Sequence, residues 1–243
     1  VKAGEFQRII DTLGSSPQPD WYINGHTVVL GPDGAWHLFG ITHVEPADPL
    51  FEVNLAHAVS SGSTTFSLAW KPFAMGAVAP ETHLWAPHVF YYPQDRLYYM
   101  FYCGGGVDRT EYLIRIATSP DLWTWRRVGT AFSAGIDGRD PMVLPLPSSA
   151  NASFAIFYTA TTPDALAPDV RHVTMMRTSN DLLTWSSPTI VFDGGETGSC
   201  AGGPTESPFV VRRGALYYLF SGSWVGYSDT RVFVSSDFRD FGN

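Results

Sequence analysis

Positive charge is scarce in this chain. Lys and Arg number 15 against 23 Asp and Glu in 243 residues, a formal net charge of −8. No basic run exceeds the pairs Arg126–Arg127 and Arg212–Arg213. A surface that neutralises phosphates needs clustered cations, so nucleic acid and anionic membranes are not expected partners. Charge of either sign is low, at 16% of residues, against about 25% in an ordinary soluble domain. Cysteine is nearly absent. Cys103 and Cys200 build no framework; they form one bridge in an oxidising compartment or two thiols in a reducing one. No apolar run approaches the ~20 residues of a membrane-spanning helix. No leader peptide is visible, and Val1-Lys2-Ala3 does not read as a native initiator. A secreted or periplasmic location is preferred to a cytoplasmic one.

Apolar and turn-forming residues fill the space that charge leaves. Hydrophobic residues make up 44% and aromatics 14%, with 23 Gly and 18 Pro spread along the chain. That mixture suits many short strands joined by turns. The order within it is a repeat. An aromatic strand leads into Ser-x-Asp-Leu-x-x-Trp: Tyr98-Tyr99-Met100-Phe101 precedes Ser119-Pro120-Asp121-Leu122-Trp123-Thr124-Trp125. Phe154-Ala155-Ile156-Phe157 precedes Ser179-Asn180-Asp181-Leu182-Leu183-Thr184-Trp185. Tyr217-Tyr218-Leu219-Phe220 precedes Ser235-Ser236-Asp237-Phe238, and Trp36-His37-Leu38-Phe39 precedes the degenerate Ser60-Ser61-Gly62. The anchors Phe39, Phe101, Phe157 and Phe220 recur at roughly 60 residues. Short strands repeated around an axis predict an all-β propeller, with its chemistry where the first strands of the blades meet.

The repeat predicts one propeller domain over 1–243. An N-terminal segment covers 1–22, and blades fall near 24–78, 84–130, 139–192 and 204–241. Gly31-Pro32-Asp33-Gly34 is the clearest hairpin turn, between two apolar runs. Four blades are evident. A fifth first strand would be expected after Phe241, so either the ring closes with four or a blade is missing, and an open ring leaves exposed edges.

The four first strands read Gly25-His26-Thr27-Val28-Val29, Trp85-Ala86-Pro87-His88-Val89, Gly138-Arg139-Asp140-Pro141-Met142 and Pro204-Thr205-Glu206-Ser207-Pro208. This set resembles the five-bladed propeller glycosidases of family 43 and its relatives in families 32 and 68. Trp85-Ala86-Pro87 is similar to the second-blade Trp-Ala-Pro of family 43, and Arg139-Asp140-Pro141 to the Arg-Asp-Pro of family 32. Glu206-Ser207-Pro208, followed by Tyr217-Tyr218-Leu219, resembles the blade that carries the acid glutamate. The resemblance covers most of 24–240.

It implies a glycoside hydrolase acting on a furanoside or on a pentose- or fructose-containing glycan. Glu206 would be the general acid. Asp140 would be its partner, orienting Glu206 or stabilising charge on the sugar ring. The family places a further carboxylate on the first strand of blade one. Aligning Ala35-Trp36-His37-Leu38-Phe39-Gly40 on the usual second strand puts His26 there instead. A neutral imidazole can deprotonate water but is a poor glycosyl nucleophile, so an inverting route is expected. Asp20, Glu45 or Asp48 folding in from a loop is the alternative source of a carboxylate.

Each candidate has a plainer reading beside it. Glu206 also reads as a solvated strand-end acid, Asp140 as a turn former before Pro141, and His26 as a turn residue after Asn24-Gly25. Trp85, His88, Arg139, His43 and Trp224 are the expected sugar-binding side chains. Against that, His88 could be a satisfied core histidine and Arg139 a partner of Asp137 or Asp140. Trp125 and Trp185 read as packing between blades. His26, His43 and His88 could together hold a metal, but their spacing carries no local motif; no cofactor is expected. A carbohydrate-binding propeller without turnover and a metal-assisted sugar enzyme are the alternative functions.

Overall fold

The computed structural model describes residues 10, 21–44, 48–60, 65–106, 112–162, 171–197, 205–222 and 230–242. Among these residues fifteen strands form four antiparallel sheets in chain order, each a meander. Blade one contains β1 (Trp21–Leu30), β2 (Trp36–Val44), β3 (Asn54–Ser60) and β4 (Ser67–Gly76). Blade two contains β5 (Leu84–Tyr92), β6 (Leu97–Gly105), β7 (Tyr112–Ser119) and β8 (Arg126–Ser133). Blade three contains β9 (Arg139–Pro145), β10 (Phe154–Thr161), β11 (Arg171–Ser179) and β12 (Thr189–Thr197). Blade four has three strands, β13 (Glu206–Arg213), β14 (Leu216–Gly222) and β15 (Thr230–Ser235). One 3-10 turn, Pro49–Phe51, interrupts the strands.

The first strands pack in sequence, β1 on β5, β5 on β9 and β9 on β13. This is a β-propeller. No comparable contact joins β13 back to β1 among the described residues.

The two-residue period of a strand explains how each blade is held. Successive side chains point to opposite faces, and an inner blade buries both. In β6, Tyr98, Met100 and Tyr102 enter the core shared with blade one. Tyr99, Phe101 and Cys103 enter the core shared with blade three. In β10, Phe154, Ile156 and Tyr158 face blade two, whereas Ala155 and Phe157 face blade four. Strands buried on both faces read as continuous apolar runs, as the aromatic anchors do. Full burial of a side chain such as Phe101 contributes about 2–3 kcal/mol.

The Ser-x-Asp-Leu motif is a hydrogen-bonded turn. Ser119 Oγ accepts from the amides of Asp121 (3.2 Å) and Leu122 (2.8 Å). Asp121 Oδ1 accepts from Trp123 and Thr124, both at 2.8 Å. Ser179 and Asp181 repeat the pattern. Leu122 and Leu182 sit at φ 68° and 65°, a region unfavourable to L-residues. The turn's hydrogen bonds and the complete burial of both leucines hold them there. The tryptophan that ends each motif locks the preceding blade: Trp125 stands edge-on to Phe39, and Trp185 edge-on to Phe101.

Candidate functional site

Each first strand carries the same irregularity near its start. Pairing with the second strand skips a residue between Asn24 and Thr27, Trp85 and His88, Arg139 and Met142, and Glu206 and Phe209. Three residues span two of the partner strand's, which is a β-bulge. At each bulge one residue has a positive φ: Gly25 at 44°, Ala86 at 43°, Asp140 at 59° and Ser207 at 51°. Only glycine adopts that region freely, so three of the four positions are strained, a feature that gathers at functional sites. The bulges turn these residues to the axis. There they line a pocket of about 320 Å³, the lower end of the range for small-ligand sites.

The pocket wall contains Asn24 to Thr27, Ala86 to His88, Asp140 to Met142 and Ser207 to Phe209. Asp140 is the one carboxylate among these lining residues. Its Oδ2 accepts from the Ser207 amide at 3.0 Å. Thr159 Oγ1 stands 3.4 Å away, with its hydroxyl proton directed to the Thr205 carbonyl at 2.7 Å. Burial raises the Asp140 pKa to about 7, and the neighbouring Glu206 charge adds to the effect; Arg139 and the Ser207 amide oppose it without cancelling it.

Glu206 stands beside the pocket, outside its lining. Arg139 Nε donates to Oε1 at 3.1 Å and Nη2 to Oε2 at 2.7 Å, a bidentate fork. The same guanidinium reaches Asp137 Oδ1 at 2.6 Å through Nη1 and lies 4.0 Å from Asp140 Oδ2 through Nε. Burial opposes the Arg139 charge, but the charges of Glu206, Asp140 and Asp137 outweigh it and raise its pKa. One cation therefore joins blade three to blade four amid three carboxylates.

The histidines separate. His26 lines the pocket with part of its side chain open to solvent, and desolvation of the rest lowers its pKa. It occupies the bulge position held by Pro87, Pro141 and Pro208 in the other blades, and Gly25 stands at the position of Asp140. His88 is buried in the lining, and burial lowers its pKa to about 4. Its Nε2 lies 3.2 Å from the Val143 carbonyl. A carbonyl accepts only, so Nε2 carries the proton and Nδ1 is an acceptor. His43 stacks on Trp21, with centroids 6.0 Å apart, and is not in the pocket wall. No group of three His, Cys, Asp or Glu is placed to hold a metal ion among the described residues.

Trp85, expected against the sugar, is buried in the core instead. Its ring stacks on His83 at 3.9 Å, and its indole N–H donates to the Pro49 carbonyl. The bulge turns Ala86 to the axis and sends Trp85 the other way. Asp48 caps the 3-10 turn through the Leu50 amide at 3.0 Å, so its carboxylate is already engaged. Cys103 is a buried free thiol. Trp224, Cys200, Asp20 and Glu45 lie outside the described residues.

Three residues of the cluster were not singled out as site residues from the sequence. Asp137 holds Arg139. His172 sits within 3.3 Å of Asp137 Oδ2 through Nε2 and within 2.9 Å of Thr205 Oγ1 through Nδ1. Asp137 carried a signal in its nearness to Arg139. His172 and Thr205 are 33 residues apart and carried none.

No family model and no curated protein matches the sequence. Solved structures do match the fold. A thermostable family-43 glycoside hydrolase superposes with a TM-score of 0.66 at 15% identity, over 90% of this chain and 70% of that one. A family 117 glycoside hydrolase from the marine bacterium Zobellia galactanivorans gives 0.67 at 10% identity, over 92% and 69%. A Bacillus subtilis arabinanase gives 0.60 at 13% identity, over 93% and 76%. At these identities the likeness is one of fold alone, a β-propeller.

Proposed function

We propose that the protein is a glycoside hydrolase that cleaves a furanoside or a pentose- or fructose-containing glycan by an inverting route. The observation that carries this reading is the axial pocket itself. Four bulged strands converge on it, a buried Asp140 lines it, and Glu206 stands beside it, joined to Asp140 through Arg139. A neutral oligosaccharide suits a site whose one cation is already enclosed by carboxylates.

In this reading Glu206 supplies the proton to the leaving oxygen. Both its oxygens accept from Arg139 in the resting arrangement, which is the carboxylate form, so the pair must open and Glu206 must take up a proton from solvent before it turns to the substrate. Asp140 orients Glu206 or, once ionised, supports the developing positive charge on the ring. Water attacks the anomeric carbon from the opposite face, and its proton passes to His26, whose lowered pKa leaves the ring unprotonated and able to accept it at neutral pH. Retention would require a second carboxylate as nucleophile, and Gly25 leaves the equivalent position of blade one without a side chain.

The test is Glu206→Gln on a panel of aryl furanosides and pentosides. Turnover should fall by roughly 10²–10⁴, the contribution of a positioned acid. Unchanged turnover would overturn the acid assignment. Gly25 also favours a second reading, a sugar-binding propeller without hydrolysis. Oligosaccharide binding by calorimetry with no turnover of any glycoside would establish it.

A further inference from the structure

His172 lies outside the pocket and is only 1% exposed, yet it touches both Arg139 and its anchor Asp137. It projects from the start of β11. Asp137 comes from the loop before β9, and Thr205 from the entry to β13. Nε2 of His172 stands 3.3 Å from Asp137 Oδ2 and 3.4 Å from Arg139 Nη2. These neighbours make opposite demands. The carboxylate needs a proton on Nε2, whereas the guanidinium needs a lone pair there, so a neutral ring satisfies one at a time. Thr205 Oγ1, 2.9 Å from Nδ1, can donate or accept and so permits either tautomer. Arg139 Nη2 meanwhile gives its other proton to Glu206 Oε2 at 2.7 Å.

We propose that His172 and Asp137 are positioning residues that fix the Arg139 fork and, through it, set when Glu206 is paired and when it is free to turn to the substrate. Asp137 anchors the Nη1 side of the guanidinium. When Glu206 leaves, Arg139 keeps that anchor and does not follow it into the pocket. His172 holds Asp137 in place through Nε2–H or accepts a hydrogen bond from Nη2, and Thr205 keeps the ring upright in either state. The inference rests on the glycosidase reading and on Glu206 being its acid.

The experiment separates the two. His172→Gln places an amide nitrogen near Nε2 and keeps the Asp137 contact. His172→Asn reaches only Thr205. With purified full-length protein, His172→Asn should lower kcat by roughly tenfold to a hundredfold, the scale of an ångström's misplacement, with KM changed by less than about threefold. His172→Gln should restore most of that loss, and Asp137→Asn should resemble His172→Asn. If Glu206→Gln abolishes turnover while both His172 variants keep wild-type kcat, the positioning role is wrong. Equal loss in both variants, with matching falls in Tm, marks a structural histidine and also overturns it. If Glu206→Gln is itself without effect, the underlying acid assignment has failed instead.

Discussion

Blades three and four share the candidate site but differ in how they are held. Blade three has four strands and two covered faces, with β10 buried along its whole length. Among the described residues blade four has three strands, with one face packed against blade three. Val210, Tyr217, Leu219 and Phe233 pack against blade three. On the other face Phe209 is 47% exposed and Val234 53%. The acid assigned from the sequence stands on the less supported blade, and its partner Asp140 on the better supported one. Arg139 bolts one to the other. If Glu206 is the acid of the proposed reaction, the wall with less packing is the one that must open for it to leave Arg139.

The largest effect that can break this comparison is expected at Phe157. Its side chain is fully buried between blades three and four and stands edge-on to Phe241 at 6.3 Å. Phe157→Ala removes the transfer energy and leaves a cavity, at a cost of about 3–5 kcal/mol. Urea unfolding followed by tryptophan fluorescence measures it. A loss below about 1 kcal/mol would mean that blade four is not held through this core.

Asp140 should give an effect of the next size, and one with a sign. Its pKa is raised in the folded state from its ordinary value near 3.8 to about 7. Across that window the native protein holds a proton that the unfolded chain has released. Stability from this group is therefore full below about pH 4 and is lost as pH rises to about 7. Asp140→Asn keeps the neutral shape and removes the titration. Its Tm should gain on wild type between pH 4 and 7, by on the order of a few kcal/mol in stability. Parallel Tm curves would show that Asp140 is not buried as a neutral acid.

What the sequence made legible follows from local physics. The aromatic strands and Ser-x-Asp-Leu turns repeat because each is fixed by neighbours close in the chain, and Trp125 and Trp185 lock blades as their place in the repeat implied. The bulges were half legible. Ala86, Asp140 and Ser207 each precede a proline, but Gly25 precedes His26. Without that marker, counting back from β2 is one residue ambiguous, because the extra residue of a bulge leaves no trace in a two-residue period. That slip decides whether His26 or Gly25 stands where Asp140 stands in blade three. Trp85 shows the same thing: one added residue exchanges which side chain meets the axis and which meets the core. The His172 contacts join segments that no local pattern connects, so they became visible only in the fold.

The smallest effect is the sharpest test of the open side. Val232 and Val234 lie on the uncovered face of blade four at 40% and 53% exposure, whereas Val210 on the covered face is 1% exposed. Valine and threonine have nearly the same shape, so exchanging them replaces a methyl with a hydroxyl and little else. On the covered face the hydroxyl is buried without a designed partner and should cost about 1–3 kcal/mol. On the open face it meets water, and Val234→Thr should change stability by no more than about 0.5 kcal/mol. Equilibrium unfolding of Val210→Thr and Val234→Thr side by side reads the contrast directly. Equal costs would mean that something covers the outer face of blade four in the folded protein, and the asymmetry between the two blades would disappear with it.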